Sequence, residues 1–136
     1  MAFLPRISTM SRQIKFRVWD KEMKYFSSQY DLYCSNGSIS NDETVHPHGG
    51  RFVAQQFTGL LANNWREIYE GDIVLAHNYN YPHDVLKCVV EFSQHSASFF
   101  LRHVKESNIS LNFSRCGSSA NTEIIGNIYE NPELLK

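Results

Sequence analysis

The chain has 136 residues, 42% of them hydrophobic and 13% aromatic, and a net charge of −1. That length fits one domain, or a domain with a small appended piece, and lets most of the chain fold round a single apolar core. The aromatic content excludes a disordered chain, the longest apolar runs fall far short of the roughly 20 residues of a membrane helix, and the small net charge gives no overall pull toward nucleic acid.

The chain opens with a short apolar patch, Ala2-Phe3-Leu4, but lacks the continuous apolar region and small-residue cleavage site of a secretory signal. Residues 1–10 read as a disordered or non-native extension, with Met10 a candidate natural start. Up to Lys24 the charge sums to +4, which leaves −5 for the rest. Such asymmetry fits either a basic arm or, more simply, a short exposed strand keeping itself soluble.

Gln13 to Trp19 alternates: Ile14, Phe16 and Val18 point one way, Lys15, Arg17 and Trp19 the other. That is the period of a half-buried strand. Asp20 to Lys24 reads as a turn and Tyr25-Phe26 as the start of a returning strand. Residues 27–50 are polar and rich in Ser, Asn and Gly. Within them Asn36-Gly37, flanked by Tyr33 and Ile39, is a strong hairpin signal because both turn residues tolerate positive φ. His46-Pro47-His48-Gly49-Gly50 breaks regular structure, so residues 11–50 are expected to form an N-terminal strand or hairpin segment and residues 51–136 a small barrel.

Strand character resumes from Arg51 to Thr58 and a tight turn is expected at Asn63-Asn64. Ile68-Tyr69 leads into a turn at Glu70-Gly71-Asp72, and Ile73 to Ala76 is a strand. His77 to Asp84 reads as a loop. Val85 to Phe92 is a strand with Leu86, Cys88, Val90 and Phe92 on one face, and Ser98 to Val104 is its partner. Residues 105–121 combine alternation at Ile109, Leu111 and Phe113 with a flexible Gly117-Ser118-Ser119. Thr122 to Tyr129 is a last strand, followed by a helical turn with Asn131 as cap, Pro132 at its first position, and Leu134 and Leu135 packing inward. The fold class is mixed and mainly β, with a small N-terminal α+β or hairpin segment before a small, highly curved antiparallel barrel. Ile73, Leu75, Leu86, Cys88, Val90, Phe92 and Ile128 are its expected interior.

Four strings stand together in this order: Ile14-Lys15-Phe16-Arg17-Val18-Trp19-Asp20; Gln56-Phe57-Thr58-Gly59-Leu60; Glu67-Ile68-Tyr69-Glu70-Gly71-Asp72-Ile73-Val74; and Ile125-Gly126-Asn127-Ile128-Tyr129-Glu130-Asn131-Pro132-Glu133-Leu134-Leu135. The chain thereby resembles the YopX family of small phage and prophage proteins over nearly all of its length after Met10. The resemblance implies a bacterial or phage origin, a tendency to self-associate, and an N-terminal piece followed by an SH3-like barrel. It supplies no activity and no catalytic residues. The chain departs from the family pattern at Asn64-Trp65, where Asn-Gly or Asp-Gly is usual. The turn should keep its geometry but carry a large aromatic at its tip.

No catalytic or metal constellation is evident. Glu67, Glu70 and Asp72 lack the companions a Mg²⁺ site needs and read better as a strand, a tight turn built on Gly71, and a strand, with Asp72 making a local hydrogen bond. None of the histidine pairs has a metal-binding spacing. Cys34, Cys88 and Cys116 are odd in number and widely spaced, which fits a reducing, cytoplasmic setting. Cys88 reads as core packing, and Cys116, in a Gly/Ser loop, as the only plausible reactive thiol.

Two surfaces are candidates for a partner. Lys15, Arg17 and Trp19 combine charge with an aromatic ring, suited to a protein interface, to nucleic acid, or simply to an edge strand whose Arg stems cover the Trp. Tyr79 and Tyr81 sit in a Tyr/Asn loop that could line a peptide groove or anchor the loop. The expected function is that of a non-enzymatic, self-associating protein-binding module without cofactor, metal or membrane, its partner a second copy or a host or phage protein. The alternative is a nucleic-acid-binding small barrel, against which stands the acidic balance beyond Lys24.

Overall fold

The computed structural model describes residues 13–27, 33–35, 38–40, 51–78, 81–116 and 121–136, the side chains at 27, 33–40, 78–84 and 115–116 excepted. Every regular element among them is a strand or a short 3-10 turn. The strands are β1 (Phe16–Asp20), β2 (Tyr25–Ser27), β3 (Tyr33–Ser35), β4 (Ser38–Ser40), β5 (Phe52–Leu61), β6 (Glu67–Tyr69), β7 (Asp72–Asn78), β8 (Tyr81–Ser93), β9 (Ser98–His103), β10 (Ser110–Leu111) and β11 (Thr122–Asn127). The 3-10 turns are Phe113–Cys116 and Pro132–Leu135.

These strands make a four-stranded sheet in the order β2-β1-β5-β6 and a five-stranded sheet in the order β10-β9-β8-β7-β11. All pairings are antiparallel. The second sheet curls into a half-barrel that the end of the first helps to close, so the mainly β, barrel-like expectation holds. β3 and β4 pair with each other, Ser35 opposite Ser38, which is the ladder expected around Asn36-Gly37; those two residues lie outside the described ones.

β1 finds its sheet within the chain: Arg17 pairs with Gln55 and Trp19 with Val53 on β5.

The apolar core lies between the sheets. Ile68 and Ala62 from the first meet Val74, Ala76, Cys88, Val90, Leu101, Leu111 and Phe113. Each fully buried Ile, Leu or Val among them contributes roughly 1.5–3 kcal/mol. The sequence alternation located most of this core, with Ile73, Cys88 and Val90 buried and Leu75, Leu86 and Ile128 half-buried. Asn131 precedes the closing 3-10 turn but makes no side-chain capping hydrogen bond, its Oδ1 accepting the Asn127 amide instead. Four further expectations fail. Phe92 is 45% exposed, because β7 accompanies β8 only as far as Val89 and leaves the end of β8 without a neighbour on that side. Ile14 precedes β1 and is exposed, and Leu135 lies on the outer side of its 3-10 turn. Residues 77–84 are not a loop throughout: β7 runs to Asn78, β8 starts at Tyr81, and the two pair across a register shift.

The sheets are joined by a bend of two residues, Glu70 and Gly71, between β6 and β7. Gly71 has φ +82, and a Cβ there would stand 2.3 Å from Gln55 Nε2. Only glycine meets both conditions, as the turn expected at Glu70-Gly71-Asp72 requires. The amide of Glu70 donates to the Gln56 carbonyl in the first sheet, and that of Gly71 to the Val90 carbonyl in the second. One strand thus changes sheets within a single peptide.

Candidate functional site

At this corner four elements deliver polar side chains into the interior. Asp72 and Asn127 are each 2% exposed, as is Gln55. Arg17 reaches in from β1, its guanidinium between the rings of Phe26 and Tyr69, at 4.0 and 4.4 Å from their centroids. It donates to Gln55 Oε1 at 3.0 and 3.1 Å and to Asp72 Oδ1 at 2.5 Å. The other Asp72 oxygen accepts the Tyr69 amide at 2.8 Å, the local hydrogen bond expected of this residue. Asn127 Nδ2 donates to both Gln55 and Asp72, and Asn127 Oδ1 accepts the Tyr129 amide. Every member has a partner, and the network spans both sheets. Its chemistry is that of a satisfied structural joint.

The expected partner face Lys15-Arg17-Trp19 is the face turned toward this joint. Trp19 is 2% exposed, stacked on Tyr129 with centroids 6.1 Å apart and meeting Phe26 edge-on. Lys15 pairs with Glu67, and this hydrogen bond, with that from the Tyr69 hydroxyl, holds the Glu67 carboxyl below its usual range despite some burial. Burial first, then Glu67, pushes the Tyr69 phenol up to about 12. Trp19 is therefore not a surface residue, and Arg17 and Lys15 are committed to carboxylates. The side chains of Tyr79 and Tyr81 lie outside the described ones.

Beside the joint the sheets diverge and leave an open cleft of ≈ 510 Å³. Its vertex is the Glu70-Gly71 bend. One wall is β5 at Val53–Gln55, the other β8 at Val89–Phe92, and Ile128 and Tyr129 form the floor. Among the described residues, both walls present strand edge with no pairing strand. Phe57 N donates to Lys15 O and Lys21 N to Arg51 O, so the odd residues of β5 bond to β1 and Ala54 turns its amide and carbonyl toward the cleft. Likewise Val104 N donates to Lys87 O, so the odd residues of β8 bond to β9; Val90 O, on the other side, takes Gly71 N, while Phe92 lies beyond the reach of β7. Phe92 meets Phe99 edge-on at 5.2 Å and also borders a second cleft with Leu60 and Phe113.

Glu70 stands at the vertex. Burial pushes its carboxyl above the usual range, against a hydrogen bond from the Gln56 amide at 2.8 Å. Burial and the charge of Glu70 push Tyr129 up as well. Among the described residues no cation pairs with Glu70, and the cleft lining contains no Lys, Arg or His. Its other carboxylate, Glu91, is held by Arg102 at 2.8 Å.

Glu67, Glu70 and Asp72 point to three different sets of partners, and no group of three His, Cys, Asp or Glu among the described residues could hold a metal ion. Cys88 is fully buried, as core packing requires; the side chains of Cys34 and Cys116 lie outside the described ones. No helix among the described residues is long and apolar enough to cross a membrane. Sequence reasoning missed Gln55, Asn127 and the cleft. No clear local signal marked them: Gln55 is one of two adjacent glutamines in Phe52–Leu61, and Asn127 is the last residue of Thr122–Asn127.

Two crystal structures share this fold. Protein EF1440 from Enterococcus faecalis matches 93% of this chain and 100% of its own, at 27% identity and a TM-score of 0.60. Protein yopX from Bacillus subtilis matches 89% of this chain and 95% of its own, at 20% identity and a TM-score of 0.56. No curated protein matches the chain in sequence. The model of the family described as YopX protein matches residues 15–136, which include the joint, the bend and the cleft, and the chain therefore belongs to the YopX family.

Proposed function

We propose that this chain is a non-enzymatic, self-associating accessory protein of phage or prophage origin, working in the cytoplasm of a bacterial host, which acts by binding another protein. The observation that carries the binding reading is the cleft. It joins exposed strand edge, a half-exposed aromatic and a carboxylate that has no counter-ion among the described residues, three features through which a sheet protein recruits another chain. Self-association finds support in exposed apolar side chains at Trp65, Leu61 and Val85. Against the nucleic-acid alternative, Lys15 and Arg17, the two basic residues of the candidate face, each face a carboxylate of the chain itself and so are poorly placed to neutralise phosphates.

The test is crosslinking of the purified chain in bacterial lysate with and without nuclease, comparing wild type with Phe92→Ala. A nuclease-resistant protein partner lost on Phe92→Ala supports the reading. A partner that disappears with nuclease treatment replaces it with the nucleic-acid alternative.

A further inference from the structure

The cleft also carries an inference about what enters it, which rests on the reading of the cleft as a protein-binding site. An ordinary sheet edge in a monomer is short, charged or covered. Here two edges, at Ala54 and Phe92, face a common gap, and both are backed by apolar residues. A helix could not use them, because its own amides and carbonyls are internally bonded. An extended segment could, since a strand offers donors and acceptors on both of its sides. Charge adds the second constraint. Glu70 is half-buried, with a backbone amide for a partner; among the described residues no cation pairs with it, and those that line the cleft include no Lys, Arg or His. An acidic segment would bring like charge to a poorly solvated carboxylate, whereas a Lys or Arg would supply the missing counter-ion.

We infer that the cleft binds an extended basic peptide segment of another protein as an added strand, with main-chain hydrogen bonds to Phe92, Ala54 or both and a Lys or Arg side chain on Glu70. Alternation in the ligand follows from the geometry. The residue facing Glu70 is basic, and the residues on the opposite side of the strand are apolar where they meet Phe92 and Ile128.

The experiment selects binders from a displayed library of random short linear peptides against the full chain, then measures the enriched peptides by fluorescence anisotropy. Each is also made with alternate backbone amides N-methylated, which removes main-chain donors and leaves side chains and charge intact. The expected result is enrichment of peptides alternating apolar residues with Lys or Arg. N-methylation should weaken them about tenfold or more, and Glu70→Gln about fivefold, in line with loss of hydrogen bonds to buried or charged groups. Amide exchange at Phe92 or Ala54 should slow in the complex. The N-methylated arm uses the unaltered protein, so it does not depend on how any variant folds. Peptides that require Phe92 but are acidic, or bind equally well when N-methylated, overturn this inference and leave the binding-module reading standing. Absence of any peptide whose binding falls on Phe92→Ala overturns both. A dimer of this chain that buries Phe92 and excludes peptides assigns the cleft to a second copy and overturns the inference.

Discussion

Arg17 on β1 and Asp72 on β7 belong to different sheets, yet their side chains meet at 2.5 Å beside the bend that joins those sheets. Gln55 and Asn127 close the network round them, and two aromatic rings sandwich the guanidinium. The arrangement ties the two sheets together a few residues from the cleft. A buried ion pair of this kind adds little net stability over a well-packed apolar substitute, but losing one partner strands the other.

Arg17→Ala is accordingly expected to destabilise the protein by roughly 2–4 kcal/mol, because it leaves the Asp72 carboxylate buried without its cation. Adding Asp72→Asn to Arg17→Ala should recover part of that loss, since it removes the stranded charge and keeps an acceptor for the Tyr69 amide. Urea unfolding of the two single variants and the double variant measures both effects. A double variant no more stable than Arg17→Ala would show that ring packing, not the pair, dominates at this corner.

Gly71→Ala should be among the most damaging small substitutions in the chain. The added methyl meets Gln55 Nε2 at 2.3 Å and the residue must hold φ +82. The left-handed conformation alone costs roughly 1–2 kcal/mol for a side-chain-bearing residue, and the clash displaces a member of the buried network. A fall in the thermal midpoint larger than that of Ala54→Gly on the neighbouring strand is the expected readout.

Two carboxylates should give opposite pH signatures. Bidentate hydrogen bonding by Arg51 lowers the Asp20 pKa to about 2, helped by the Glu22 and Met23 amides and opposed by burial. Its contribution is present above the ordinary value of 3.8 and is lost as the pH falls toward about 2. Asp20→Asn should therefore cost stability at neutral pH and little in strong acid. Glu70 has a raised pKa, so its ionisation opposes folding as the pH rises above its ordinary value of 4.5. Glu70→Gln should stabilise the protein at neutral pH, with a gain that fades in acid. Unfolding free energies across that range, compared for wild type and both variants, check both signs.

Much of this was legible beforehand, and the failures share a cause. Alternation found the strands and most of the core because burial of one face imposes a period of two. It could not say that Trp19 turns inward or that Arg17 and Lys15 meet Asp72 and Glu67, because those pairings join residues far apart in the chain and depend on the fold. Phe92 was misplaced for the complementary reason. Its period matches Cys88 and Val90, but the partner strand departs at Gly71, and no local pattern states where a neighbour ends. The same departure creates the cleft, which is why the candidate site was invisible while its residues were not.

Trp65 gives the last prediction. The turn between β5 and β6 keeps its tight geometry, with Trp65 N donating to Ala62 O and Arg66 N to Asn64 Oδ1. Trp65 itself takes φ 64 and is 82% exposed. A bulky residue in the left-handed region is strained, and an exposed ring regains little by packing. Trp65→Gly relieves that strain at the cost of a more flexible unfolded chain, so it should stabilise the monomer by roughly 0.5–1 kcal/mol, the balance of the two terms. Chemical unfolding of the dilute protein measures the gain. If the exposed indole serves self-association, the same substitution should lower the oligomer fraction in sedimentation velocity while raising monomer stability. A variant less stable than wild type in dilute solution would mean that the indole packs against the fold and that the strain argument fails at this turn.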